Sequence, residues 1–153
     1  MHKYKITSVE FYTYLVPDPK QPSEPPLLPM PPSIDMGVRK ALLEIPGIED
    51  TITKAVKGDP VPAISPKAAV TMLWPNVADG LTKSLHKKYG HHSTFSISGQ
   101  YVYDESTGRH IHIGWVMLTR NSSMQPFKVT IKHPSAGGEV DAFVCVYLGV
   151  VPV

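Results

Sequence analysis

Two histidines one residue apart, His110 and His112, lie in the stretch GRHIHIGWVML at residues 108–118. On a β-strand, residues two apart share a face, so both imidazoles point one way and Ile111 and Ile113 the other. Such a pair can ligate a metal, exchange protons with a substrate, or hold an anion. A metal site needs about three ligands. No Asp or Glu follows on this strand, and Lys128 and Lys132 on a later strand would repel a cation. Neither a metal nor a cofactor is therefore expected.

Phosphodiester chemistry would use one imidazole as base, the other as acid, and Lys132 to stabilise developing charge. His92-Ser93-Thr94 resembles half of a two-histidine phosphoesterase signature, but the second His-x-Thr is missing. Anion binding asks less of the residues. A tight loop at residues 104–108 would set Tyr103 against Arg109, Gln100 against His112 and Val102 against His110. Thr130 and Lys132 would then approach from the next hairpin. The candidate anion-binding set is Gln100, His110, His112, Thr130 and Lys132. Its ligand would be a phosphate, a nucleotide, RNA or a lipid headgroup.

Four segments of period two must position these residues: HSTFSISGQYVY, RHIHIGWVMLT, PFKVTIKH and EVDAFVCVYLGVV. The links DESTG, NSSMQ and PSAGG are rich in turn residues, so residues 91–153 read as an antiparallel meander. Within it the odd residues Phe95, Ile97, Tyr101, Tyr103, Ile111, Ile113 and Trp115 form a core face. The even residues, histidines included, form a polar face. The last segment is apolar on both parities, with Cys145 in its middle. As a sheet edge it needs protection, from the N-terminal strand or from another chain.

Residues 3–16, KYKITSVEFYTYLV, read as that N-terminal strand. Between the two β regions, residues 34–90 read as helical. One helix covers 34–44 with Ser33 as its cap, and a second covers 48–57. A third starts at Ser65-Pro66 and is interrupted at Pro75, and residues 76–89 continue as a further helix. Residues 17–33 hold eight prolines in seventeen positions. That density excludes helix and sheet and favours polyproline II. Leu27, Leu28 and Met30 would be wasted in a solvated linker, so this segment reads as an arm whose apolar residues meet an interface. Pro22-x-x-Pro25 and Pro26-x-x-Pro29 have the spacing that docks on aromatic grooves.

The predicted architecture is one α+β domain over residues 1–153. It has an antiparallel four- to five-stranded sheet, three to four short helices and a proline-rich extended arm. The length of 153 residues suits a single core. Charged residues make up 18%, below the roughly 25% of average proteins. This leaves neutral surface available for association. A net charge of +2 is too small to make a general nucleic-acid binder. One cysteine excludes an intramolecular disulfide and reads as a buried thiol. No signal peptide and no apolar run of membrane-spanning length is visible, so a cytoplasmic location is expected. These features predict a non-enzymatic structural protein that forms a homo-oligomer, on a plan that virion components of matrix, capsid or tail type use. The alternative is a small phosphodiesterase or nucleotide-binding protein using His110, His112 and Lys132.

Overall fold

The computed structural model describes residues 2–14, 30–118, 126–131 and 138–153. Leu27, Leu28, Lys132 and nearly all of the proline-rich arm lie outside them. In chain order the elements are β1 (His2–Tyr14), α1 (Pro32–Leu43), α2 (Ile48–Lys57), β2 (Val61–Ala63) and α3 (Pro66–Tyr89). They continue with β3 (Ser93–Phe95), β4 (Gln100–Asp104), β5 (Arg109–Leu118), β6 (Phe127–Ile131) and β7 (Gly138–Pro152). Among the described residues this makes an α+β fold of three helices and a curled, antiparallel seven-stranded sheet.

The sheet runs β2-β1-β7-β5-β3, with β4 also on β5 and β6 also on β7. The C-terminal strands therefore do not follow simple meander order. β7 inserts between β1 and β5, pairing Val9 with Leu148 on one side and His112 with Leu148 on the other. Its apolar residues on both parities suit this central place. The N-terminal strand supplies the edge protection that β7 requires. The strand count exceeds the expected four or five because the short β2 joins the sheet and because HSTFSISGQYVY divides into β3 and β4.

That division has a local cause. Phe95 pairs with Val116, and Gln100 pairs with Ile113, so β3 and β4 lie along one edge of β5. Residues 96–99 face only two residues of β5, and the excess bulges out, leaving Ile97 exposed. Ser96 pins the bulge with all its polar groups. Its N–H donates to Trp115 O at 2.8 Å, and its Oγ accepts from Trp115 N at 2.9 Å. Its carbonyl accepts from Trp74 Nε1 at 2.6 Å.

Helix α3 is continuous through Pro75, where a break is predicted from sequence. Proline removes a helical N–H and costs about 3 kcal/mol in a helix interior. The helix nonetheless buries Trp74, Val77, Ala78, Leu81 and Leu85 against the sheet, and this packing carries it across. Ser65 caps it as expected, accepting from Ala68 N at 3.1 Å. α1 starts two residues earlier in the proline run than predicted, with Pro31 at the N-cap and no side-chain cap. Ser33 is inside it. α2 has the predicted bounds.

One buried cluster unites Met30, the helix residues Val38, Leu42, Ile48, Trp74, Leu81 and Leu85, and the sheet residues Phe11, Val116, Val146, Leu148 and Val150. The helices thus pack on one side of the sheet, its inner face. Met30, expected at an interface, is buried in this chain's own core.

Candidate functional site

The register between β4 and β5 decides where the histidines go. Asp104 pairs with Arg109, Tyr103 with His110 and Tyr101 with His112. This is one residue away from the register predicted. The cause is Asp104, which closes the turn itself. Its Oδ1 accepts from Ser106 N at 3.0 Å and from Ser106 Oγ at 2.7 Å, and its Oδ2 accepts from Thr107 Oγ1 at 2.7 Å. Gly108 takes the left-handed backbone at φ +69°. Asp104 thereby stays in the ladder and the loop shortens by one residue.

A slip of one residue exchanges faces along a strand. Tyr101 and Tyr103 therefore share the face of the histidines rather than that of Ile111 and Ile113. That face is the inner one. The His112 ring stacks on Trp74 at 5.0 Å between centroids, and His112 is only 5% exposed. Gly114, two residues on, lies under the same indole: a Cβ there would come 2.3 Å from Trp74 Cζ2. On β5 the polar and core faces are thus the reverse of those read from parity, while Phe95 and Tyr101 keep the core side expected of them. Trp115 lies on the outer face, half-buried, and Trp74 is the tryptophan of the core.

These surroundings fix what the imidazoles can do. Burial pushes the His112 pKa down to about 4, and its Nδ1 has no hydrogen-bond partner among the described residues. His110 is hydrogen-bonded through Nδ1 to Tyr101 Oη at 2.7 Å and packs against Tyr103 at 4.8 Å. Burial lowers its pKa as well. Both rings are held neutral, and neutral imidazoles offer an anion no charge.

The rest of the predicted set is dispersed. Gln100 pairs with Ile113 and is exposed, with the opposite parity on β4 to Tyr101 and Tyr103. Thr130 is on β6 opposite Glu139. It borders a cleft of about 300 Å³ with Glu44, Lys88, Tyr89 and Lys128. The lysines there share the cleft with a carboxylate and with the C-terminal ends of α1 and α3, the negative ends of helix dipoles. Lys132 lies outside the described residues. Among the described members of the set only His110 and His112 share a face, and phosphodiester chemistry gains no support from a stacked, neutral His112. Among the described residues no group of three or more His, Cys, Asp and Glu is placed to hold a metal ion.

The outer face carries a different constellation. Tyr12 and Tyr147 are 4.2 Å apart between centroids, and Tyr14 and Trp115 are 5.6 Å apart. Tyr14 and Tyr147 join through their hydroxyls at 3.3 Å. At one end Arg39 of α1 reaches round to lie 4.4 Å from the centre of the Tyr12 ring. It is held there by Asp35 at 3.0 Å, and Asp35 also accepts from Thr13 Oγ1. Arg109 ties β5 to β1 across β7, donating to Ser8 Oγ at 2.6 Å beside Glu10.

These rings follow from strand parity. Tyr12 pairs with Cys145 and Tyr14 with Phe143 on β1 and β7, and Trp115 pairs with Cys145 from β5. Burial and the Glu10 hydrogen bond raise the Tyr12 pKa to about 12, and burial raises Tyr14 further. Burial pushes the Cys145 thiol up to about 12. The surface therefore offers phenols and an indole above a buried, inert thiol. It can recognise by packing and stacking, and it holds no activated nucleophile.

The sequence holds a signal for this surface in the shared parity of Phe143, Cys145 and Tyr147. A core of Trp, Tyr and Ile on β4 and β5 was the competing expectation, and it claimed Trp115. Gly114 marks the true inner face, because a glycine inside a strand signals a close approach.

No protein-family model, no curated protein and no solved structure matches this chain. Among the described residues no helix is long and apolar enough to cross a membrane.

Proposed function

We propose that this protein is a non-catalytic, self-associating structural component, and that the outer aromatic face is its association surface. The observation carrying this reading is the row of Tyr12, Tyr147, Tyr14 and Trp115 on the side of the sheet away from the helices. Aromatic rings joined to one another in this way are typical anchors of protein interfaces. Val102 extends the patch: it is 37% exposed and pairs with Ile111 on the same face. The low content of charged residues, 18%, agrees with a chain that leaves neutral surface for contact with its own kind. A virion is one setting that suits a small component of this plan.

A double variant, Trp115→Arg with Val102→Lys, places charge on this face and leaves the inner core untouched. Its mass by light scattering is expected to fall to the 16.8 kDa of one chain, with the far-UV circular dichroism of the wild type. Tyr12→Ser, at the other end of the row, should weaken association in the same direction. Folded variants that keep the wild-type mass would defeat the assignment of this surface.

A further inference from the structure

We infer that the free edge of β4 pairs with β4 of a second copy, antiparallel about a two-fold axis at Val102, so that the sheet continues from one chain into the next. This rests on the self-association reading above and gives it a second contact.

The other short strands carry edge protection. β2 has three residues, one of them Pro62, which has no N–H to offer a neighbour. β3 also has three, and its Phe95 N donates to Thr82 Oγ1 of α3 at 3.0 Å. β6 carries Lys128 and borders the cleft that Glu44 and Lys88 share with it. β4 has no such device among the described residues. It pairs with β5 in unbroken register and with no other strand. It contains neither Pro nor Lys, and Gln100, Val102 and Tyr103 are exposed. A strand of Tyr and Val with an open row of N–H and C=O groups is a template for another strand.

The sequence QYVYD selects its own copy as that strand, because it is nearly palindromic about Val102. Antiparallel pairing sets Val102 against Val102, Tyr101 against Tyr103, and Gln100 against Asp104 of the other copy. Opposed residues share a face, so both tyrosine pairs meet on the histidine side and the valines meet on the outer side. The Gln100 amide donates to the Asp104 carboxylate at each end. The bulge at residues 96–99 and the turn at 105–108 bound the strand, which limits the contact to five residues. Such a contact falls short of the roughly 1,000 Å² of a stable interface. The edge therefore joins copies already gathered through the aromatic face, where the effective concentration is high. Two different two-fold contacts on one chain carry the assembly beyond a pair.

Hydrogen exchange of the full chain, read by mass spectrometry over the concentrations at which its mass rises, tests the pairing. Amides of residues 100–104 are expected to exchange about tenfold more slowly in the associated sample. Tyr103→Lys should remove that slowing with the far-UV circular dichroism unchanged. The register is tested by mild oxidation of Val102→Cys, since the native Cys145 is buried. Opposed Cβ atoms lie ~4.5–5.5 Å apart, close to disulfide reach, so Val102→Cys should link copy to copy. Gln100→Cys should not, because its two copies would stand about 13 Å apart along the strands at ~3.3 Å per residue. An associated sample whose β4 amides exchange as in the single chain would overturn the inference and leave self-association standing. Linkage at Gln100→Cys as ready as at Val102→Cys, or none at Val102→Cys, would also overturn it. A chain that stays monomeric throughout would remove both.

Discussion

Replacing Trp74 with Ala is expected to destabilise the protein by about 3–5 kcal/mol, the cost of deleting a fully buried large aromatic. Trp74 is completely buried and connects three parts of the fold. Its ring stacks on His112 from α3 to β5, it covers the backbone at Gly114, and its Nε1 donates to Ser96 O. The truncation would open a cavity and leave that carbonyl unpaired. It would also loosen Ser96, which joins β3 to β5. Domains of this size are commonly stable by only about 5–15 kcal/mol, so little reserve would remain. Trp74→Phe keeps most of the ring but loses the donor, and should cost about 1–3 kcal/mol. Urea unfolding at a common m-value measures both. A Trp74→Ala midpoint close to that of the wild type would show that the indole does not organise the core.

Acidification from pH 6.5 to pH 4 is expected to cost about 3 kcal/mol of stability through His112 alone. The sign follows from burial. The folded pKa is pushed down to about 4, while the unfolded chain titrates near its ordinary value of about 6.5. Between these values the unfolded chain takes up a proton that the folded chain excludes. The stabilisation is complete above pH 6.5 and is lost as pH falls toward 4. His110 is shifted in the same direction and adds to the slope. Asp104, held low by Ser106 and Thr107, acts only at still lower pH, because its contribution begins to be lost near the ordinary carboxylate value. Thermal melts at several pH values should show the loss. His112→Phe keeps a flat ring against Trp74 without a titrating nitrogen, and should flatten the profile between pH 4 and 6.5. An unchanged slope in that variant would assign the acid sensitivity elsewhere.

Much of the architecture can be read from residue patterns. The stripe of Ile48, Ile52 and Val56 locates α2, and Ser65-Pro66 locates the start of α3. The two apolar parities of β7 suit a strand inside the sheet, and the structure pairs it with β1, β5 and β6. What could not be read depends on groups far apart in sequence. Parity shows that His110 and His112 share a face, but only Trp74, arriving from α3, determines which face is inside. The β4–β5 register depends on one side chain, Asp104, which caps its turn without leaving the ladder. The passage of α3 through Pro75 depends on burial that local preference does not contain. The candidate site moved for the same reason. With His112 buried on the inner face beside Trp74, the chemistry at the surface belongs to Tyr12, Tyr14, Tyr147 and Trp115.

Sedimentation equilibrium of the full, unmodified chain over a concentration series tests the central claim most directly. Association through the aromatic face predicts a mass that is a multiple of 16.8 kDa and that falls to a single chain when Trp115 is changed to Arg. A wild-type chain that stays at 16.8 kDa across the series would contradict it.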